Sequence, residues 1–254
     1  MAYKLKTNLA NKNNYGSKRS KESIKWIVIH YTGNDGDSDE ANGNYFKNNI
    51  VKASAHWFID DDSVTQSVPE DYVAYSVGGS RYSNYKQTGG ATYYEQARNA
   101  NTLNIELCDS NKDGKVEATE KTLDNTVDFV KKKMKEYNID IDHVIRHFDV
   151  TGKSCPVYFC GSDSKDKEWE EFKARLKETK GNADKKNTSS TKNESYKVKV
   201  TASVLNVRDG AGTGYKVNTQ VKQGEVYTIV EEKNGWGKLK SGAGWIYLSY
   251  VKRI

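Results

Sequence analysis

The segment from Glu178 to Ser195 constrains this chain most, because it contains no apolar residue larger than alanine. Such a segment cannot bury enough surface to offset the entropy lost on ordering. It therefore predicts a flexible linker over residues 178–195, which divides the 254 residues into an N-terminal domain, 1–177, and a C-terminal domain, 196–254. Two domains also agree with the length, since a typical domain has roughly 100 to 150 residues.

The N-terminal part alternates between strand-like and helix-like patterns. Strands are predicted over Lys25–Tyr31, Ala55–Asp60, Leu103–Cys108 and His143–His147. Apolar residues at helical spacing predict helices over Thr119–Tyr137 and Glu168–Lys177. Because the two patterns interleave, we expect an α/β domain with a mixed central sheet flanked by helices.

The C-terminal part changes to short β runs separated by glycine and asparagine, which predicts a small all-β barrel. The pair Asn234-Gly235 between two such runs is typical of a hairpin turn. Residues 196–254 carry ten basic and four acidic side chains, a net charge of +6, whereas residues 1–195 carry 30 of each sign. This asymmetry indicates a module that binds a polyanion, whether nucleic acid, an anionic membrane or a cell-wall polymer, or simply a lysine-rich surface.

Several classes of protein are disfavoured. The longest apolar stretch, Trp26 to Ile29, is far shorter than a bilayer span, and the first residues lack the apolar core of a signal peptide. We therefore expect no transmembrane segment and no signal peptide. Aromatic residues make up 11% of the chain, which argues against disorder. Three cysteines do not describe a disulfide framework, so a metal thiolate or inert buried thiols are expected.

Three of the four histidines fall within or at the end of predicted strands, where ligand sites form. They are His30, His56 and His147. Cys155 follows His147 by eight residues, with Lys153 between them. Two imidazoles and one thiolate suit Zn²⁺, and three protein ligands leave a fourth position for water.

Four segments in order, WIVIHYTGN, SAHWFID, NTLNIELC and RHFDVTGKSCP, resemble the zinc-dependent N-acetylmuramoyl-L-alanine amidases of type 2, which are related to peptidoglycan-recognition proteins. The resemblance covers about residues 20–178. The segments VLNVRDGAGTGYKV and NGWGKLKSGAGWIYLSYV are similar to a bacterial SH3-like domain of the kind that binds cell wall. The resemblance implies an α/β catalytic domain followed by an SH3-like cell-wall-binding domain.

The same resemblance assigns roles to individual residues. It implies that His30, His147 and Cys155 hold the zinc ion. Glu106 matches the acid that works on the zinc-activated water, and Lys153 matches a basic residue suited to stabilising the oxyanion.

Other residues receive weaker assignments. Some relatives place a tyrosine directly before His56, but this chain has Ala55 there, which excludes a tyrosine-assisted reaction and leaves Glu106 as the acid. We expect His56 to line the cleft and His143 to lie on the surface. Cys108, at the end of an apolar strand, is expected to be a core thiol, and Cys160, after Tyr158 and Phe159, is expected to pack beside the site without a disulfide between the two.

The function implied is a peptidoglycan hydrolase that cleaves the amide bond between N-acetylmuramic acid and L-alanine. It would act as a phage endolysin, held in the host cytoplasm until release onto the cell wall, or as an exported autolysin. One alternative is a non-catalytic peptidoglycan-binding recognition protein on the same fold. Another is an enzyme fused to a nucleic-acid-binding barrel, although no base-stacking motif is present, so we expect no nucleic acid partner.

A second metal site is predicted between Asp109 and Glu120, which fits the calcium-loop pattern D-x-[DN]-x-[DN]-G-x₅-E. The Ca²⁺ ligands would be Asp109, Asn111, Asp113, Lys115 and Glu120. A polar turn before a helix capped at Thr119 would produce a similar pattern without an ion.

Overall fold

The computed structural model describes residues 3–177, 195–212, 215–233 and 235–254. The chain divides into two compact units, residues 1–176 and 177–254. Apart from Ser195, the segment predicted as a linker lies outside the described residues. Among the helices that the structure describes, none combines the length and the apolar character needed to cross a bilayer.

The first unit is built from short strands and five α-helices. The strands are β1 (Lys4–Thr7), β2 (Tyr15–Lys18), β3 (Trp26–Tyr31), β4 (Trp57–Ile59), β5 (Ser63–Gln66), β6 (Tyr72–Ala74), β7 (Thr102–Leu107) and β8 (Val144–Arg146). The helices are α1 (Asp39–Asn48), α2 (Tyr85–Thr88), α3 (Glu120–Tyr137), α4 (His147–Thr151) and α5 (Asp163–Lys177).

Six of these strands form a mixed sheet in the order β1-β5-β4-β7-β3-β8. Strands β4, β7, β3 and β8 run parallel to one another, and β5 is antiparallel to β4. Strands β2 and β6 form a separate antiparallel pair. The predicted α/β fold with a mixed central sheet is therefore confirmed.

The two faces of the central strands carry different side chains, because successive residues of a strand point to opposite sides. On β3, Ile27 and Ile29 join the main core with residues of α3 and α5, whereas Val28 lies in a separate cluster on the other face. On β7, Leu103 and Ile105 also belong to the main core. His30, Asn104 and Glu106 therefore belong to the face opposite the main core.

The helix predicted over Thr119–Tyr137 is confirmed as α3, one residue shorter. Thr119 is its N-cap, because its Oγ1 accepts a hydrogen bond from Thr122 N at 3.1 Å. Asn138 ends the helix in the left-handed conformation. The last predicted helix is longer than expected, since α5 begins at Asp163, five residues before Glu168.

The prediction for residues 143–147 is partly wrong. Strand β8 ends at Arg146, and His147 is the first residue of the short helix α4. Asp149 causes this change of structure, because its carboxylate accepts a hydrogen bond from Arg146 N at 2.8 Å and so caps the first turn of the helix.

The segment from Tyr82 to Tyr93 packs along α4. Backbone N–H groups of Tyr82, Ala91 and Tyr93 donate to carbonyls of the α4 segment at 2.8 to 2.9 Å. The approach is close enough that a Cβ atom on Gly90 would lie 2.7 Å from the Cα atom of Gly152. Gly152 itself has φ +83° and ends the helix.

The second unit consists of β strands. They are β9 (Tyr196–Val200), β10 (Val204–Arg208), β11 (Val217–Lys222), β12 (Val226–Lys233), β13 (Trp236–Leu239), β14 (Trp245–Tyr247) and β15 (Val251–Arg253). These strands form one sheet in the order β11-β10-β14-β13-β12-β9-β15. The all-β prediction is confirmed. Strands β12 and β13 pair antiparallel around the expected turn, of which Asn234 lies outside the described residues.

Candidate metal centre

His30 and Glu106 lie opposite each other on two neighbouring parallel strands. The register of β3 and β7 pairs these two residues near the carboxyl ends of both strands. The Nδ1 atom of His30 lies 3.9 Å from Oε1 of Glu106. The sheet itself therefore brings together an imidazole and a carboxylate that are 76 residues apart in the sequence.

His147 and Cys155 come from one short segment that begins with α4. The segment folds back on itself, since Phe148 N donates to Cys155 O at 3.0 Å. This places Cys155 Sγ 3.8 Å from His30 Nδ1. The rings of His30 and His147 have centroids 4.8 Å apart.

His30, His147 and Cys155 form a compact group of metal-ligand atoms. One ligand atom from each residue lies within 4.8 Å of the others, and all three residues are buried. Within the described residues, this is the one such group of three or more histidine, cysteine or acidic side chains. The Nδ1 atom of His147 is buried and has no hydrogen-bond partner among the described residues. The donor set and the unpartnered nitrogen fit a bound cation.

Burial determines the protonation of these groups. It lowers the pKa of His30 to about 3, opposed by the hydrogen bond that His30 makes to the side-chain oxygen of Asn104, which raises the pKa. It lowers the pKa of His147 to about 2, with the neighbouring His30 lowering it further. Both imidazoles are therefore neutral and offer lone pairs. Burial, and secondly the charge of Glu106, raises the pKa of the Cys155 thiol, so that a cation in the group would favour the thiolate.

Glu106 stands beside this group with one-fifth of its side chain exposed. Burial raises its pKa to about 8, opposed by the positive charge of Lys153. Its Oε2 atom has no hydrogen-bond partner among the described residues. A carboxyl group whose pKa lies near neutrality can both accept and donate a proton at neutral pH.

Lys153 lies in the loop between α4 and Cys155, and its side chain is exposed. Its positive charge lowers the pKa values of His30, His147 and Glu106.

All three cysteines of the chain are buried free thiols. Cys108 packs with Ala55 and Phe58 and is not one of the three residues of the ligand group.

His56 does not line a cleft, which corrects the expectation from the sequence. Its side chain is completely buried. Its Nδ1 accepts a hydrogen bond from Asn104 N at 3.0 Å, and its Nε2 lies 3.1 Å from the carbonyl oxygen of Tyr72. The guanidinium of Arg19 lies 2.9 Å from the same nitrogen. His56 therefore has a structural role, because its ring connects Asn104 on β7 with Tyr72 on β6.

The buried state of His56 predicts a loss of stability in acid. Burial and the charge of Arg19 lower its pKa from 6.5 to about 3. Between these values the unfolded chain binds a proton that the folded chain does not, so the free energy of unfolding should fall by about 1.4 kcal/mol per pH unit for this residue. Denaturant unfolding of wild type and His56→Gln between about pH 7.5 and pH 5 measures the difference. Equal slopes for the two proteins would contradict this role.

The predicted calcium loop has its carboxylates occupied by protein partners. Asp109 Oδ1 accepts a hydrogen bond from Asn111 N, and Asp113 Oδ1 accepts one from Lys115 N, both at 3.1 Å. Glu120 begins α3 and lies 2.9 Å from Nη1 of Arg175. Within the described residues, these side chains do not form a group of metal ligands. The calcium site stays a prediction.

Sequence reasoning missed Asn104, which is buried and lies 3.1 Å from Nε2 of His30. It also missed Thr102, which contacts Asn104. The alternation of β7 was the available signal, because Thr102, Asn104 and Glu106 are its polar residues and fall on one face.

The first unit is therefore an α/β domain with a candidate metal-dependent hydrolytic site, formed by two neutral imidazoles and a carboxylate near the ends of parallel strands and by a thiol in the segment after α4. The family model described as N-acetylmuramoyl-L-alanine amidase matches residues 20–158, more than half of the chain. The chain therefore belongs to this amidase family. Residues 203–252 match the bacterial SH3 domain. Both resemblances expected from the sequence are confirmed.

Individual relatives agree with this assignment. The chain is 28% identical over 233 residues to the N-acetylmuramoyl-L-alanine amidase CwlA of Bacillus subtilis (strain 168), covering 88% of this chain and 79% of CwlA. It is 27% identical over 179 residues to the amidase CwlL of Bacillus licheniformis, covering 68% of this chain and 46% of CwlL. The chain spans less than half the length of CwlL and of two other curated relatives.

Solved structures have the same fold in the first unit. The structure of PlyL has a TM-score of 0.53 at 26% identity, covering 69% of this chain and 98% of PlyL. The solution structure of the PlyG catalytic domain has a TM-score of 0.52 at 26% identity, covering 74% of this chain and 99% of that domain.

Proposed function

We propose that this chain hydrolyses the amide bond between N-acetylmuramic acid and L-alanine in bacterial peptidoglycan, with Zn²⁺ held by His30, His147 and Cys155. The observation that carries the proposal is the group of three buried ligand atoms within 4.8 Å of one another, with Glu106 beside it. Membership of the amidase family supports the assignment of this amide bond as the one that is cleaved.

Zinc is the metal that best fits the donor set. Two imidazoles and one thiolate are borderline-soft ligands, and Zn²⁺ accepts such a set in tetrahedral sites. When bound, zinc supplies a Lewis acid that lowers the pKa of water and polarises a carbonyl group. Three protein ligands are typical of catalytic rather than structural zinc, because a structural site has four.

Glu106 acts as the general base and then as the general acid. Its carboxylate takes a proton from the attacking water and returns that proton to the amine that leaves on L-alanine. Its position supports this role, because it lies beside His30 and yet is outside the group of ligand atoms. Its remaining exposure leaves access for a substrate.

Lys153 stabilises the negative charge that develops on the carbonyl oxygen. The lysine is exposed, two residues before Cys155, and its charge acts on the buried groups of the site. A positive charge placed where an oxyanion forms lowers the barrier of acyl transfer. The products are a lactyl carboxylate on the glycan and a free L-alanine amine on the stem peptide.

A purified wall assay tests the proposal. The full chain should lower the turbidity of a wall suspension and release new L-alanine amino termini without new reducing sugars. A chelator should abolish both signals, and added Zn²⁺ should restore them. If the chain binds walls without releasing amino termini, it is a non-catalytic recognition protein instead.

We also propose that the C-terminal unit binds the cell wall through a basic surface on β9 and β15. Lys199 and Lys252 face each other across these two strands, and both side chains are exposed. Two like charges in this position repel each other unless an anion lies between them. Lys197 lies two residues from Lys199 and points to the same side.

The expected result is that Lys199→Glu with Lys252→Glu weakens retention of the full chain on intact walls roughly tenfold or more, at about 1 kcal/mol per basic residue near an anionic surface. Retention of the wild type should also decrease with salt. Lys216→Glu with Lys240→Glu makes the same change of charge at other exposed positions and serves as the control. Equal loss in both double variants would contradict a specific surface.

The same proposal includes the place where the protein acts and the biological process in which it acts. The site of action is the cell wall, and the two settings expected from the sequence are a phage endolysin and an exported autolysin. Calcium at Asp109 to Glu120 is not needed for the proposed reaction, and a calorimetric titration with Ca²⁺ tests it separately.

A further inference from the structure

Nε2 of His30, the ring nitrogen that does not face Cys155, is hydrogen-bonded to the buried side-chain amide of Asn104. Asn104 Oδ1 lies 3.1 Å from His30 Nε2. Asn104 is completely buried, and His30 is 2% exposed. On the other side of the ring, His30 Nδ1 is the nitrogen near Cys155 Sγ and Glu106 Oε1. The contact with Asn104 therefore decides which ring nitrogen is available to a metal.

The direction of this hydrogen bond follows from Thr102. The hydroxyl of Thr102 lies 3.0 Å from the carbonyl of Arg98, and a carbonyl only accepts, so the hydroxyl donates its single proton there. Thr102 Oγ1 can then only accept from Asn104, whose side chain lies at 3.0 Å. The amide must present its NH₂ group to Thr102 and its oxygen to His30.

An amide oxygen accepts only from a protonated nitrogen. His30 Nε2 therefore carries the ring proton, and Nδ1 carries the lone pair. This lone pair lies on the side of Cys155 Sγ, at 3.8 Å.

The backbone of Asn104 is fixed as well, by His56. Asn104 N donates to His56 Nδ1 at 3.0 Å, and His56 N donates to Asn104 O at 3.1 Å. Strand β7 pairs with β3 on its other side. The side-chain amide of Asn104 can therefore turn over, so that its oxygen and its NH₂ group change places, only by breaking its hydrogen bond to Thr102.

We propose that Thr102 and Asn104 are positioning residues that hold His30 in the tautomer with its proton on Nε2, so that Nδ1 is free to bind the metal. This inference rests on the proposed zinc site. Groups that orient a ligand histidine contribute typically 10- to 100-fold to metal affinity.

The first test needs no variant. Long-range ¹H–¹⁵N spectra of the full chain, with and without zinc, identify the protonated nitrogen of His30. We expect the proton on Nε2 in both states and zinc on Nδ1. A proton on Nδ1 in the metal-free protein, or zinc on Nε2, overturns the inference.

The second test replaces Thr102 by Val, which keeps the shape of the side chain and removes the hydroxyl. The NH₂ group of Asn104 then loses its acceptor, the amide can turn, and His30 can carry its proton on Nδ1. We expect the zinc dissociation constant, measured by chelator competition, to increase 10- to 100-fold. The spectrum should also contain a second His30 tautomer.

Two controls separate this effect from loss of packing. Thr102→Ser keeps the hydroxyl and should restore both zinc affinity and the wild-type tautomer. Thr126→Val removes a buried hydroxyl that donates to Thr122 O within α3, and it should change neither. Wild-type zinc affinity and tautomer in Thr102→Val overturn the inference. A wild-type chain that binds no zinc overturns the proposed function instead, while its spectrum still tests the tautomer.

Discussion

Cys155→Ser is expected to lose bound zinc and hydrolysis together. Serine keeps the size of the side chain, but its hydroxyl does not ionise near neutral pH as a thiol does beside a cation. The remaining His30 and His147 provide only two ligands. Metal analysis of the purified variant should detect little zinc, and the release of L-alanine amino termini should fall to background.

Cys160→Ser is the matched control for this prediction. Cys160 is also buried, and its Sγ donates to the carbonyl of Pro156 at 3.0 Å, a hydrogen bond that a serine hydroxyl can replace. Its variant should retain zinc and activity. Full zinc occupancy with normal turnover in Cys155→Ser would show that the ligand assignment is wrong.

Glu106→Gln should slow hydrolysis 10²- to 10⁴-fold while zinc stays bound. The amide has nearly the same shape as the carboxylate but cannot accept the proton of the attacking water. Because Glu106 lies outside the group of three ligand atoms, the zinc dissociation constant should change little. The kcat value should fall, since the missing proton transfer occurs after the substrate binds.

The control for Glu106→Gln is Glu117→Gln, which makes the same replacement at an exposed side chain. It should leave kcat unchanged. Lys153→Ala should also slow turnover without loss of zinc, because the proposed role of the lysine is to stabilise the oxyanion. Wild-type turnover in Glu106→Gln would remove this residue from the mechanism, whereas loss of zinc would make it a ligand.

Much of the fold followed from local patterns in the sequence. The apolar run of β3 and the alternation of β7 predicted two strands, and the helical spacing of Leu123, Val127 and Val130 predicted α3. In contrast, β1 pairs with β5, almost 60 residues away, through four residues with exposed side chains on β1. No local pattern specifies a pairing of this kind, because it depends on which sheet edge is free.

The candidate site could be predicted only in part. The family motifs indicated His30, His147 and Cys155, and the structure places them together. The role of His56 was wrong, because its position at a strand end does not reveal that Asn104 N and Tyr72 O occupy both ring nitrogens. Thr102 and Asn104 lie in the segment NTLNIELC, but the resemblance assigned them no role, because their importance depends on the direction of the hydrogen bonds that they make.

The contact between Gly90 and Gly152 has a consequence for how this site can vary during evolution. Neither position can accept a side chain without separating the segment of Tyr82 to Tyr93 from the helix that begins with His147. Homologues that lengthen, shorten or exchange this segment must therefore keep the glycine contact or change both partners together. We expect the two segments to be inherited as one block, and grafting either of them alone into another scaffold to displace His147.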